Sequence, residues 1–182
     1  MKPTDKMIKK MERKTERIYL IGYMYSGKST LGRKLAHRLG YQFVDTDELI
    51  ESRYHITIAH FFEQYSECGF RKIEHEVLVT TGEMAQTVIA TGGGTPCHYN
   101  NMEWMKREGL TLYLKMGVDA LCSRASRSRK PRPLLQGMNT EERKRFIAEQ
   151  LVRREPYYRQ ADHTVEAFNP DIEEIVRMIE GN

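Results

Sequence analysis

Residues 22–29 read GYMYSGKS, the spacing G-x-x-x-x-G-K-[ST]. Such a run holds phosphate. Its glycines let successive backbone N–H groups turn inward around an oxyanion, and a helix opening near Lys28 adds its positive end. Lys28 brings a full charge to the β- and γ-phosphates, and the Ser29 hydroxyl is placed to ligate Mg²⁺. A second motif, FVDTD, puts Asp45 and Asp47 two residues apart at the end of an apolar run. On a strand they share a face at its carboxyl end. One could hold Mg²⁺ through water while the other orients a hydroxyl and takes its proton, or Asp47 simply caps the helix that follows.

Three further patterns could recognise an acceptor. ATGGG ends with Gly92, Gly93 and Gly94 in a row. Adjacent glycines are entropically costly, and they suit a place where backbone must approach a ligand closely; a plain flexible turn is the alternative. FRKIE sets Arg71 and Glu74 three apart on one helix face. They are either a surface ion pair or a carboxylate steadying an arginine that forks onto a substrate carboxylate. RKPRPLL carries Arg132 between two prolines, which suits a stiffened lid over phosphates or an ordinary solvated loop. In RREPYYR, Arg153, Arg154 and Arg159 lie where a helix is expected to end before Pro156.

Positioning these groups requires alternating strands and helices. Strands are expected at 18–21, 41–47, 87–90, 110–116 and 163–167. Helices are expected at 29–39, 47–56, 57–66, 70–85, 98–109, 118–127, 140–155 with Thr140 as N-cap, and 170–181 with Pro170 near its start. The pattern predicts a three-layer α/β/α fold around a five-stranded parallel sheet, with ligands at the strands' carboxyl ends.

The chain has 182 residues, a net charge of +4 and 40% hydrophobic residues, as expected of one soluble domain spanning 1–182. Its basic N-terminal extension, 1–16, lacks the apolar core of a secretory signal, and no apolar run is long enough to cross a bilayer, so a cytoplasmic monomer is expected. Cys68, Cys97 and Cys122 form no metal or disulfide pattern and read as reduced thiols. Basic clusters at 123–132, 142–146 and 152–159 suit nucleic acid or small anions; the first two carry no interleaved stacking aromatics, which favours small anions.

Taken in order, GYMYSGKST, DTD, FRKIE, ATGGG, RPLL and R-x-P-x-Y resemble the shikimate kinases, in the nucleoside monophosphate kinase-like branch of P-loop proteins. The resemblance implies transfer of the ATP γ-phosphate to the 3-hydroxyl of shikimate in aromatic amino acid biosynthesis, with Mg²⁺ as cofactor. It implies a P-loop kinase fold with a mobile lid (125–140) and an acceptor region at 47–80. It assigns ATP to Gly22, Tyr25, Ser26, Gly27, Lys28, Ser29 and Thr30, and Mg²⁺ to Ser29 and, through water, Asp45. Asp47 matches the acid that binds the acceptor hydroxyls and is the candidate base. Arg71 and Arg154 match the pair that grips the carboxylate, with Glu74 in support; Arg153 stands beside Arg154, but the spacing to Pro156 favours Arg154. Gly92, Gly93 and Gly94 match the glycines near the ring. Arg132 matches the lid arginine, and Arg124, or alternatively Arg127, the arginine on adenine. TPCHY after the glycines predicts a different wall there. Gluconate kinase is the nearer rival reading and a nucleotide-dependent nucleic-acid module the more distant one.

Overall fold

The computed structural model describes residues 16–128, 135 and 137–181. Five strands form one sheet: β1 (Arg17–Ile21), β2 (Gln42–Asp45), β3 (Thr87–Ala90), β4 (Leu110–Lys115) and β5 (His163–Glu166). The order is β2-β3-β1-β4-β5, and every pairing is parallel. Parallel neighbours need crossovers, which the helices supply. They are α1 (Lys28–Leu39), α2 (Thr46–Tyr54), α3 (Ile58–Gln64), α4 (Glu67–Thr80), α5 (Asn101–Glu108), α6 (Val118–Arg127), α7 (Thr140–Tyr158) and α8 (Ile172–Glu180). The expected fold class is therefore observed.

The sheet centre explains the sequence of its strands. All of β1 and β3 is buried, as is β4 up to its last residue, so these strands read as continuous apolar runs. Ile18, Tyr19, Leu20 and Ile21 are fully buried in the main core, which also takes Leu31 and Leu35 from α1 and Ile175, Val176 and Ile179 from α8. A smaller cluster, Ile50, Phe61, Phe70 and Val77, binds α2, α3 and α4 to one another. Among the described residues no helix is long and apolar enough to cross a membrane.

Several boundaries differ from expectation. Strand β2 stops at Asp45, and Asp47 lies in the first turn of α2, so the two acids do not share a strand face. Asp45, not Asp47, is the N-cap: its Oδ1 accepts from the Asp47 N–H at 3.0 Å. Helix α4 starts three residues before Phe70, capped by Ser66. Helix α7 is capped by Asn139 rather than Thr140, in a reciprocal box with Glu142. It then runs through Pro156 to Tyr158. Proline removes the N–H that would bond the Val152 carbonyl, and Val152 is 75% exposed, so water can take that carbonyl. Pro170 precedes Asp171, the N-cap of α8, and stays outside that helix.

Candidate active site

The strand order sets the carboxyl ends of β2, β3 and β1 side by side, and each opens into one of the polar motifs. After β1 the chain turns at Gly22, with φ +140°; a Cβ there would lie 2.7 Å from the Leu114 carbonyl oxygen. Gly27, at φ +97°, is the left-handed residue that admits the chain to α1. The first turn of α1 therefore points unpaired N–H groups at the loop. Lys28 is buried, and its Nζ donates to the carbonyls of Gly22 (2.8 Å) and Tyr23 (2.9 Å). The buried Ser26 hydroxyl has no hydrogen-bond partner among the described residues. Tyr25 holds a positive φ of 66° at the loop's tip, and Thr30 is exposed on α1. Ser29 Oγ donates to Asp45 Oδ2 at 2.6 Å, joining α1 to the end of β2.

Arg124 reaches this loop from α6. Its Nη1 donates to the carbonyls of Ser26 (3.0 Å) and Tyr25 (3.3 Å), and its Nη2 to that of Ala167 after β5 (3.2 Å). Arg127 is exposed at the end of the same helix. Arg132 lies outside the described residues.

On the acceptor side, Arg71 and Glu74 are not a surface pair. Arg71 is 7% exposed and Glu74 1%, with Nη1 to Oε2 at 2.8 Å. Glu74 Oε1 accepts from Thr95 Oγ1 at 2.7 Å, and Arg71 Nη2 donates to Glu67 Oε1 at 3.0 Å. Burial pushes the Glu74 carboxyl up, against the pull of Arg71 and Thr95. Burial also weighs most on Arg71 and would lower it, but Glu74 and Glu67 together hold it raised and charged. Its buried Nε has no partner among the described residues.

The three glycines fit against this pair. A Cβ on Gly92 would lie 2.5 Å from Glu74 Oε1 and 3.2 Å from Asp47 Oδ1; one on Gly94 would lie 2.6 Å from Arg71 Nη1. The room they leave is thus occupied by charged side chains of the protein, beyond any approach to a ligand. The Gly92 N–H donates to Thr46 Oγ1, fixing the start of α2, and with it Asp47, to the glycine loop. Tyr158 Oη donates to the Gly93 carbonyl at 2.5 Å. Arg154, one turn before Tyr158, sits with its guanidinium carbon 5.4 Å from the Tyr23 ring centroid, while Arg153 is exposed.

The wall after the glycines is shaped by Cys97 and His98. Burial pushes the Cys97 thiol up to about 11; burial and then Arg71 hold His98 below its usual range. A cavity of about 430 Å³, lined by Glu67, Cys68, Arg71, His98 and Tyr99, opens beside Arg71.

Lys28, Ser29, Asp45, Asp47, Arg71, Gly92, Gly93 and Gly94 are thus brought together by β1, β2, β3 and the segments that follow β1 and β2 or close β3, and α7, between β4 and β5, adds Arg154. Sequence reasoning missed Glu67, Thr95, Thr46 and Tyr23 as their supports. Tyr158 stood in the R-x-P-x-Y pattern without a role. Only Glu67 had a local signal, its spacing four residues before Arg71; the others act across the fold.

Comparison with known proteins places the chain in a family. The shikimate kinase family profile matches residues 24–180. A shikimate kinase from Parabacteroides distasonis is 42% identical over 152 residues, covering 84% of this chain and 88% of the other. The crystal structure of shikimate kinase from Bacteroides thetaiotaomicron superposes with a TM-score of 0.85 at 40% identity, covering 91% of this chain and 97% of that one. Shikimate kinase from Acinetobacter baumannii, solved in complex with shikimate, gives 0.82 at 38%, covering 92% and 94%. The chain belongs to the shikimate kinase family.

Proposed function

We propose that this chain transfers the γ-phosphate of ATP to the 3-hydroxyl of shikimate, giving shikimate 3-phosphate for aromatic amino acid biosynthesis. The observation that carries the reading is the buried Arg71, braced by Glu74 and pressed on Gly94, with Arg154 and Asp47 around the same glycine loop. Two guanidiniums and a carboxylate complement an acceptor with one carboxylate and several hydroxyls.

In this reading the loop N–H groups and Lys28 hold the β- and γ-phosphates. Lys28 leaves the carbonyls of Gly22 and Tyr23 to do so. The free Ser26 hydroxyl and the first turn of α1 supply further donors. Ser29 and Asp45 are hard oxygen donors that fit Mg²⁺, an ion that keeps several waters and completes its shell with phosphate. Held by Ser29 and, through water, by Asp45, Mg²⁺ would supply positive charge against the phosphates. Arg71 and Arg154 grip the acceptor carboxylate. Asp47 orients the 3-hydroxyl and takes its proton as the new O–P bond forms and the bond to the β-phosphate oxygen breaks. Arg124 lies against adenine, and Arg132 meets the transferring phosphate from the lid. Positioning and positive charge do most of this work.

The enzyme works as a single-domain cytoplasmic monomer on small molecules, with no nucleic acid involved. Its basic clusters support this in part, because Arg143 and Lys144 are already engaged by Ser126 and Asp119, and Arg159 by Glu155. The test is a coupled ADP-release assay with Mg²⁺ and ATP. Shikimate should stimulate turnover well above gluconate or nucleoside monophosphates; equal or absent stimulation would sink the assignment.

A further inference from the structure

Arg154 is held by two aromatic residues from different parts of the chain. Its guanidinium carbon lies 5.4 Å from the ring centroid of Tyr23, in the phosphate loop, and its charge acts on the Tyr158 hydroxyl one turn along α7. That hydroxyl donates onward to the Gly93 carbonyl. Gly93 closes the enclosure: a Cβ there would lie 3.2 Å from the Met24 backbone nitrogen and 3.6 Å from Arg154 Nη1. Tyr23 is 1% exposed, and burial pushes its phenol up to about 12, so the ring stays neutral beside the cation. Its hydroxyl has no partner among the described residues, so the ring face is what serves Arg154.

The same residue touches the nucleotide machinery through its backbone. Lys28 Nζ is shared between the carbonyls of Gly22 and Tyr23. A phosphate that draws Lys28 away releases the peptide that carries the Tyr23 ring.

We propose that Tyr23 is a positioning residue that couples nucleotide binding to acceptor binding, by fixing the Arg154 guanidinium on its ring. This rests on Arg154 gripping the acceptor carboxylate. A long arginine side chain has much rotational freedom to lose, and a ring that holds it beforehand spares that loss at binding. Such coupling is reciprocal: whatever factor nucleotide adds to acceptor affinity, the acceptor adds to nucleotide affinity.

Calorimetric titration of shikimate with and without MgADP tests it, on wild type, Tyr23→Phe, Tyr23→Leu and Arg154→Lys. In wild type, MgADP should change shikimate affinity by at least about fivefold. Tyr23→Leu should weaken shikimate about tenfold and bring the MgADP effect to within about twofold of none. Tyr23→Phe should keep both wild-type values, which a role for the hydroxyl would not allow. Arg154→Lys keeps the charge but not the planar guanidinium, and should also lose the coupling, even if Tyr23→Leu fails to fold. Undiminished coupling in Tyr23→Leu or Arg154→Lys, equal losses in Tyr23→Phe and Tyr23→Leu, or no coupling in wild type overturns the proposal. A wild type that turns over shikimate but shows no coupling removes only this inference; one that does not bind shikimate removes the function as well.

Discussion

The two halves of the site are built from different materials. The phosphate side is made mostly of backbone, over one continuous stretch from Gly22 to Ser29, and its geometry comes from two glycines at positive φ and a helix start. The acceptor side is made of charged side chains from the α2 start, α4, the glycine loop and α7, and it is buried and cross-braced. A backbone cradle can lose a side chain and keep its shape. A buried ion network cannot, because removing one partner strands the other. The first half separates chemistry from stability, and the second fuses them.

Substitutions can break that contrast. The largest effect belongs to the reacting groups. Lys28→Ala and Asp47→Asn should each lower shikimate-stimulated ADP release by about 10²–10⁴-fold. Lys28→Ala should do so with a thermal stability within about 1 kcal/mol of wild type, since the bonds it gives up to the carbonyls of Gly22 and Tyr23 are local to the loop. Next comes Arg71→Ala. It leaves Glu74 buried without its guanidinium, and should cost about 3–5 kcal/mol in a urea titration besides raising KM for shikimate. A stable Arg71→Ala protein would mean the two halves do not differ as described. Gly92→Ala is smaller. Its methyl would press on Glu74 and Thr95, and unfolding free energy should fall by about 1–3 kcal/mol, with Gly40→Ala, whose Cβ meets open space, feeling only its positive φ. The smallest effect lies outside both halves, where exposed Arg38 on α1 meets Glu173 on α8 at 2.7 Å. The guanidinium holds the Glu173 carboxyl below its usual 4.5. A lowered carboxyl stabilises the fold above 4.5 and loses that contribution as pH falls through its folded value. Glu173→Gln should therefore lie slightly below wild type in melting temperature at neutral pH, with the two curves merging at strongly acidic pH.

The same contrast explains what the sequence made legible. The phosphate loop could be read directly because its chemistry and its geometry occupy the same eight residues. So could the parallel sheet, whose central strands are uninterrupted apolar runs. Arg71 with Glu74 and the glycines could be read from their residues as one of two alternatives, while Arg154 took its role from the resemblance; supports that act across the fold were not recognisable. Thr95 reaches Glu74 across 21 residues and Tyr158 reaches Gly93 across 65, distances over which no local spacing signals contact. Local rules also misplaced Asp47. FVDTD fits a strand to its end, but Asp45 found a helix to cap, so the pair became cap and first turn. Pro156 argued for a stop that the exposed face of α7 did not need.

Arg71 has a consequence for how an anion finds the site. Its guanidinium already faces Glu67 and Glu74, and Asp47 stands near the same glycine loop, so Arg154 is left to balance a third carboxylate. Among these five groups on the acceptor side, two guanidiniums thus face three carboxyl groups. The site's encounter rate with a carboxylate should change little between low and high ionic strength. Free inorganic anions, which lack the spacing to meet two guanidiniums and an aspartate together, gain little by entering. Selectivity for the acceptor should then rest on the fit at contact more than on long-range attraction by these groups.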